Sequence, residues 1–398
     1  MKKTYLYVTP FFPSPSQWRG AYSLDFIRAL RSYSPDLRVE VFVPGDGIDY
    51  EIEGIKVWRF KERVLPSSLL PMFFRKSNEQ SFMATLNRAG VNIDDVIICH
   101  GNTARFAVYP LAIKRLNLHC LTLLHHHDLA SFGLNNGILH KSLIYNSVMF
   151  PLLRRLHEQI DCHVFISEAS RKSFLSAPNA SWTVYRDYKA QMRGPKLFGC
   201  RTARISKSLV LHNGVDATIF KLSTQHEPRK GFVIGCVANF EVLKDQMTLM
   251  RAISILKRRG ILGVRALFVG SGRTMAGCKS FAKENGIDAE FYEEVRHEDL
   301  PRFYHGLDLF VLPSYFEGFG CVYTEAWSCG VPFIGCEGQG IEDVIPCEDR
   351  NKWLCRPKDA IDLADKIEAY IENRWQQRLS ESVDINTLVG NFCKAIGV

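Results

Sequence analysis

The chain has 398 residues, is 46% hydrophobic and 23% charged, and carries a formal net charge of +8. That length exceeds what one hydrophobic core usually supports, so two domains are expected, and the composition is that of a globular enzyme rather than a disordered chain. No uncharged run of about 18 apolar residues occurs, which argues against a membrane-spanning helix.

The charge is uneven. Residues 1–222 hold 29 Lys and Arg against 17 Asp and Glu, or +12, and the remainder holds 21 against 25, or −4. The first half is therefore expected to meet something anionic: a membrane surface, a lipid phosphate or a nucleic acid. Undirected drift in surface charge is the competing reading. None of the twelve cysteines sits in a C-x-x-C, and Cys99, Cys162 and Cys236 lie within apolar runs. Buried free thiols in a reducing compartment are expected, in preference to zinc ligands or disulfides.

At the N-terminus, "MKKTYLYVTPFFPSPS" has the two lysines of a signal peptide. Its apolar run is short and alternating, however, and prolines stand where small residues should mark cleavage, so a first buried strand fits better. Further strands are predicted at "RVEVFVP", "DVIICHG", "HCLTLLH", "HVFIS" and "SLVLHNG", with helices between most of them and a hairpin insertion at "YEIEGIKVWRF". The polar "FKLSTQHEPRKG" reads as a linker. From Gly231 onward the alternation is strict. "GFVIGCVAN" is a strand buried on both faces, and Leu249, Ile253 and Leu256 in "KDQMTLMRAISILKRRG" share a helix face that stops at Gly260. A strand at "VRALFVG", a helix at "RTMAGCKSFAKENG", and then "DAEFY", "HEDLPRFYHG" and "LDLFVLP" continue the pattern.

This predicts an α/β fold of two doubly wound, parallel-sheet (Rossmann-like) domains facing across a cleft, residues 1–222 and 223–374, with 375–398 packing back on the first. In such sheets ligands bind beyond the carboxyl ends of the strands. The residues there are "FFPSPSQWRG", His100-Gly101-Asn102, His125 to Asp128, Ser167-Glu168 and Asn213 to Asp216. In the second half they are Asn239 to Lys244, Gly270-Ser271-Gly272 and Ser314 to Gly320.

The last of these opens "SYFEGFGCVYTEAWSCGVPFIG". Gly318 and Gly320 allow a sharp turn, after which a helix is expected from near Gly320 to Ser328–Cys329, with Gly330 beyond its end. The helix's first turn would offer free N–H groups to a phosphate. Glu317 before the turn and Glu325 within the helix are suited to accept hydrogen bonds from two sets of hydroxyls. Together they describe a sugar–diphosphate–ribose ligand.

"EGFGCVYTE", an E-x7-E pattern after a strand ending in "LPS", resembles the signature of retaining glycosyltransferases of the GT-B fold, family 4. "HNGVD…F", "VANF…K", "FVGSG" and "GVPFIG" follow the same family's pattern in order. The resemblance is close over about residues 205–375 and loose before them. It implies that Glu325 holds the ribose hydroxyls and Glu317 the donor-sugar hydroxyls, with backbone N–H groups of Gly318, Phe319 and Gly320 near the diphosphate. Lys244 would pair with the phosphates and assist departure of the diphosphate. Gly270 and Gly272 would lie in the donor site, and Gly20 would let the donor phosphates approach. His127 (or His125) would reach the donor sugar. Members often carry arginine where this chain has Asn239, and Arg273 is the candidate substitute.

The resemblance further implies front-face transfer with retained anomeric configuration, with no protein nucleophile and no metal, from a UDP- or GDP-sugar. The acceptor would be a glycan or lipid-linked sugar in surface-polysaccharide synthesis, and the setting cytoplasmic. Competing readings are a GT-B nucleotide-sugar epimerase and a non-catalytic binder of sugar nucleotides or nucleic acid. No nucleic-acid module is recognised, so no nucleic-acid partner is expected. "GSGRTMAG" lacks the continuation and ribose acid of a dinucleotide site. Three successive histidines on a strand face alternate sides, which opposes joint chelation of a metal by "HHHD". Two stretches have the composition of membrane-surface contacts: Val64–Ser77, and Tyr185–Lys207 with seven basic residues and one acid. Ordinary loops are the alternative for both.

Overall fold

The computed structural model describes residues 3–14, 20–63, 74–127, 150–175, 204–223 and 231–398. The described chain divides into two compact units. The first comprises residues up to 175, 204–212 and Ile385–Val398, and the second lies within Asn213–Asp384.

The first unit is built on an eight-stranded sheet: β1 (Thr4–Val8), β2 (Arg38–Pro44), β3 (Tyr50–Ile52), β4 (Ile55–Phe60), β5 (Val96–Gly101), β6 (Leu121–His126), β7 (Cys162–Phe165) and β8 (Ser208–Val210), in the order β3-β4-β2-β1-β5-β6-β7-β8. Every residue of β1 is buried, as a central parallel strand requires. Its period of two sends Leu6 and Val8 into one core, with Phe42, Phe82 and Phe165, and Tyr5 and Tyr7 into the other, with Phe26 and Leu30. The predicted hairpin is present. Glu53 and Gly54 turn it with φ of 52° and 69°, the left-handed pair that matches strand twist. It extends the main sheet, because β4 also pairs in parallel with β2.

The helix Ile385–Ile396 belongs to this unit. It buries Ile385, Val389, Phe392 and Cys393 against the second core, and the Phe392 and Phe26 rings meet edge to face at 6.0 Å. Each large apolar side chain so buried contributes roughly 1.5–3 kcal/mol. The sequence placed the returning segment from 375; the contacts place it from Ile385.

The second unit holds β9 (Phe232–Val237), β10 (Val264–Val269), β11 (Asp288–Tyr292), β12 (Leu309–Val311), β13 (Phe333–Cys336) and β14 (Leu354–Cys355). The order is β11-β10-β9-β12-β13-β14, all parallel, the 3-2-1-4-5-6 arrangement of a doubly wound sheet. Its strand order reverses between β9 and β12, and that of the first sheet reverses between β1 and β5. Among the described residues every cysteine is a free thiol, Cys336 and Cys355 facing one another at 3.6 Å on paired strands. No helix among the described residues is long and apolar enough to cross a membrane. Most of the two stretches proposed to contact a membrane, residues 64–73 and 185–203, lies outside the described residues.

Candidate functional site

In the second unit the loops leaving β9 and β12 are joined through one carbonyl. Leu243 O accepts from Tyr315 N at 3.1 Å and from Ser314 Oγ at 3.0 Å. This brings Lys244 to Glu317, whose Oε2 accepts a hydrogen bond from Nζ. Both side chains keep some exposure, 28% and 14%. The Glu317 backbone is held from a third loop, its N–H donating to Gln339 Oε1 at 2.7 Å and its carbonyl accepting from Gly340 N at 3.3 Å.

Phe319 is buried beneath the turn, and Gly320 has φ +82°, where a Cβ would meet the Tyr323 ring at 2.6 Å. Gly320 therefore permits both the conformation and the close packing. The helix it opens, Cys321–Ser328, has no side-chain cap, so its first-turn N–H groups and dipole are presented beside Gly318. Gly330, with φ +84°, follows its end as expected. Glu325 is 8% exposed, and its Oε2 accepts from the Tyr304 hydroxyl at 2.8 Å. Burial, then the neighbouring carboxylate, raise the Tyr304 pKa well above its ordinary value, so the phenol stays a donor.

The β9 and β10 exits are also packed together. A Cβ on Gly270 would lie 2.1 Å from Ala238 O and one on Gly272 2.5 Å from Phe240 O, and Phe240 N donates to Ser271 O at 2.8 Å. Asn239 is exposed on this junction, its carbonyl accepting from Gln246 Nε2 at 3.0 Å. Arg273, the candidate substitute, pairs with Glu241 at 2.8 Å. Thus Lys244, Glu317, Gly318 to Gly320 and Glu325 form one constellation, with Asn239, Gly270 and Gly272 on the adjoining loop junction. The sequence did not single out Tyr304 or Gln339: neither lies in a recognisable motif, and only tertiary contact gives them a part.

Gly20 and His127 lie in the first unit. Gly20, with φ +90°, precedes the helix Ala21–Tyr33, and a Cβ there would lie 2.7 Å from Phe11 O. His127 follows β6, half-buried, and its Nε2 is 2.5 Å from Asn102 Oδ1. Desolvation pulls its pKa down to about 3 from the usual 6.5, so the ring is neutral at physiological pH. His125 and His126 are buried on opposite faces of β6, as alternation requires. The His125 ring lies 4.0 Å from that of His127, whereas His126 bonds to His163 at 2.9 Å.

His126, His157 and His163 converge closely enough to invite a metal. Proton accounting gives them another role. His163 Nε2 donates to the His157 carbonyl at 3.0 Å, so its neutral ring offers Nδ1 as an acceptor and His126 Nε2 must carry the proton between them. His126 and His163 thus share one directed hydrogen bond in a buried cluster that His157 joins through its carbonyl.

The profile of the glycosyl transferases group 1 family matches residues 220–385, which include this whole constellation. D-inositol 3-phosphate glycosyltransferase of Mycobacterium marinum is 32% identical over 146 residues, covering 33% of this chain and 30% of that protein. The chain thus matches under a third of that curated relative's length. Among solved structures, sucrose-phosphate synthase of Thermosynechococcus elongatus superposes with a TM-score of 0.67 at 16% identity, covering 98% of this chain and 94% of that one. Anabaena HepE in complex with UDP-glucose gives 0.65 at 18% identity, covering 99% of each. Residues 220–385 thus match the group 1 glycosyltransferases, and the chain shares the GT-B fold of these solved structures along nearly its whole length.

Proposed function

We propose that this protein is a retaining glycosyltransferase that moves a hexose from a nucleoside-diphosphate sugar to a hydroxyl of a glycan or lipid-linked acceptor, in surface-polysaccharide synthesis. The observation that carries this reading is the meeting of Lys244 and Glu317 at the β9/β12 switch point, beside an uncapped helix N-terminus with Glu325 within its helix. A diphosphate lying on that N-terminus would draw Lys244 from Glu317 and release the carboxylate to sugar hydroxyls. Glu325 would then accept from the ribose. As the glycosidic C–O bond breaks, Lys244 offsets charge growing on the diphosphate, and a diphosphate oxygen takes the proton of the attacking hydroxyl on the same face. No protein nucleophile and no metal enters this route.

HepE was solved with UDP-glucose, which favours a UDP-sugar here. Work at the cytoplasmic membrane face is part of the proposal and is motivated by the +12 charge of residues 1–222.

A thermal-shift screen of UDP, GDP, dTDP, ADP and CMP, without metal, tests the reading on wild type and Glu325→Ala. One diphosphate should raise Tm selectively, and the variant should weaken that shift. A flat response to every nucleotide at millimolar concentration would overturn it in favour of a non-catalytic protein.

A further inference from the structure

The switch point of the first sheet contains a hydrogen-bonded relay of fixed direction. Thr9 Oγ1 donates its single proton to Phe11 O at 2.9 Å, so its oxygen can only accept from Asn102 Nδ2, 3.1 Å away. Asn102 Nδ2 also reaches Ser23 Oγ at 3.2 Å. The amide nitrogen is thereby fixed toward β1 and the helix Ala21–Tyr33, and Oδ1 is fixed toward His127. An amide oxygen only accepts, so His127 Nε2 must donate across the 2.5 Å contact.

We propose that Asn102 is a positioning residue that locks His127 in its Nε2–H tautomer, leaving Nδ1 a proton-free acceptor whose counterpart must be a proton donor such as a sugar hydroxyl. The same relay ends on Phe11 O, the carbonyl that a Cβ at Gly20 would meet at 2.7 Å, so it ties the histidine to the β1 exit loop. The sugar contact rests on the transferase reading; the tautomer does not. Among the described residues, the titratable groups facing His127 are Tyr22, with ring centroids 4.7 Å away, His125 at 4.0 Å, and His100 behind His125. Burial holds His100 and His125 neutral as well.

The test is ¹⁵N NMR of histidine rings in the full chain, with His127→Gln to assign the signal. At pH 7 the His127 resonances should report a protonated Nε2 and a bare Nδ1. Asn102→Leu should mix the tautomers or let the ring titrate. Asn102→Asp keeps the acceptor but adds a charge, so Nε2–H should persist while the ring pKa rises. If transfer is assayed, that variant's kcat/KM should gain an ionisation between pH 5 and 8 that wild type lacks. A protonated Nδ1 in wild type, or a tautomer unchanged in Asn102→Leu, overturns the proposal. The predicted spectra without any turnover of nucleotide sugar would instead sustain the lock and sink the transferase reading.

Discussion

Each sheet has a switch point beside its first strand, at β1/β5 and at β9/β12, and the two have been filled with opposite chemistry. At β9/β12 the loops are pinned through a backbone carbonyl and carry a lysine and a glutamate that remain partly exposed. At β1/β5 they are tied by a side-chain amide to neutral, buried or half-buried partners: Thr9, Ser23 and His127. A partly exposed ion pair is worth about 0–1 kcal/mol, so a ligand can open the first arrangement at little cost. Leaving a buried donor or acceptor unmade costs about 1–3 kcal/mol, so the second holds its shape. Equivalent switch points thus yield one responsive site and one rigid one.

Acid should separate the two most strongly. Burial lowers the pKa of His100 to about 3 and of His163 to about 4, against 6.5 when exposed. Below pH 6.5 the unfolded chain therefore binds protons that the folded chain refuses. This stability is complete above pH 6.5 and is lost as pH falls toward those values. At pH 5 the loss is about 2 kcal/mol for each histidine. Hydrogen exchange at pH 7.5 and 5.0, corrected for intrinsic rates, should show β5–β7 losing protection relative to β9–β12. An equal response in both units would break the comparison.

Next in size, Lys244→Met should lower kcat roughly 100-fold, the scale seen when one donor to a developing anion is removed, with Tm nearly unchanged. A matching collapse in Tm would make Lys244 a structural residue. Smallest is Tyr304→Phe, which deletes one hydrogen bond to Glu325. It should weaken nucleotide binding by about 1 kcal/mol, roughly five-fold in Kd by calorimetry. An unaltered Kd would show that Glu325 is oriented without it.

Legibility in the sequence followed the same divide. The apolar runs of β9 and β12, the glycines of the Glu317 turn and the stop at Gly330 are local signals, and the second unit's constellation could be assembled from them. Asn102 and His127 were visible at strand exits, but their pairing across 25 positions belongs to the sheet and left no local trace. The unit boundary was drawn at the polar stretch after Phe220, whereas the structure divides at His212. "NGVD" has joined the second unit, where Val215 N donates to Val383 O at 2.8 Å. Polarity marks where a chain is solvated, and it does not say which core claims the residues before it.

The return of Ile385–Val398 to the first unit also has a temporal meaning. On the ribosome, the unit begun first cannot be finished until residues 213–384 have been made, a delay of about 10–30 s at ordinary elongation rates. Through that interval the groove awaiting Val389 and Phe392, lined by Phe26 and Leu30, lacks the helix that fills it, while the second unit is itself still being made. The half that emerged earliest thus waits longest with part of its core uncovered, and the need of a chaperone is expected to fall on it.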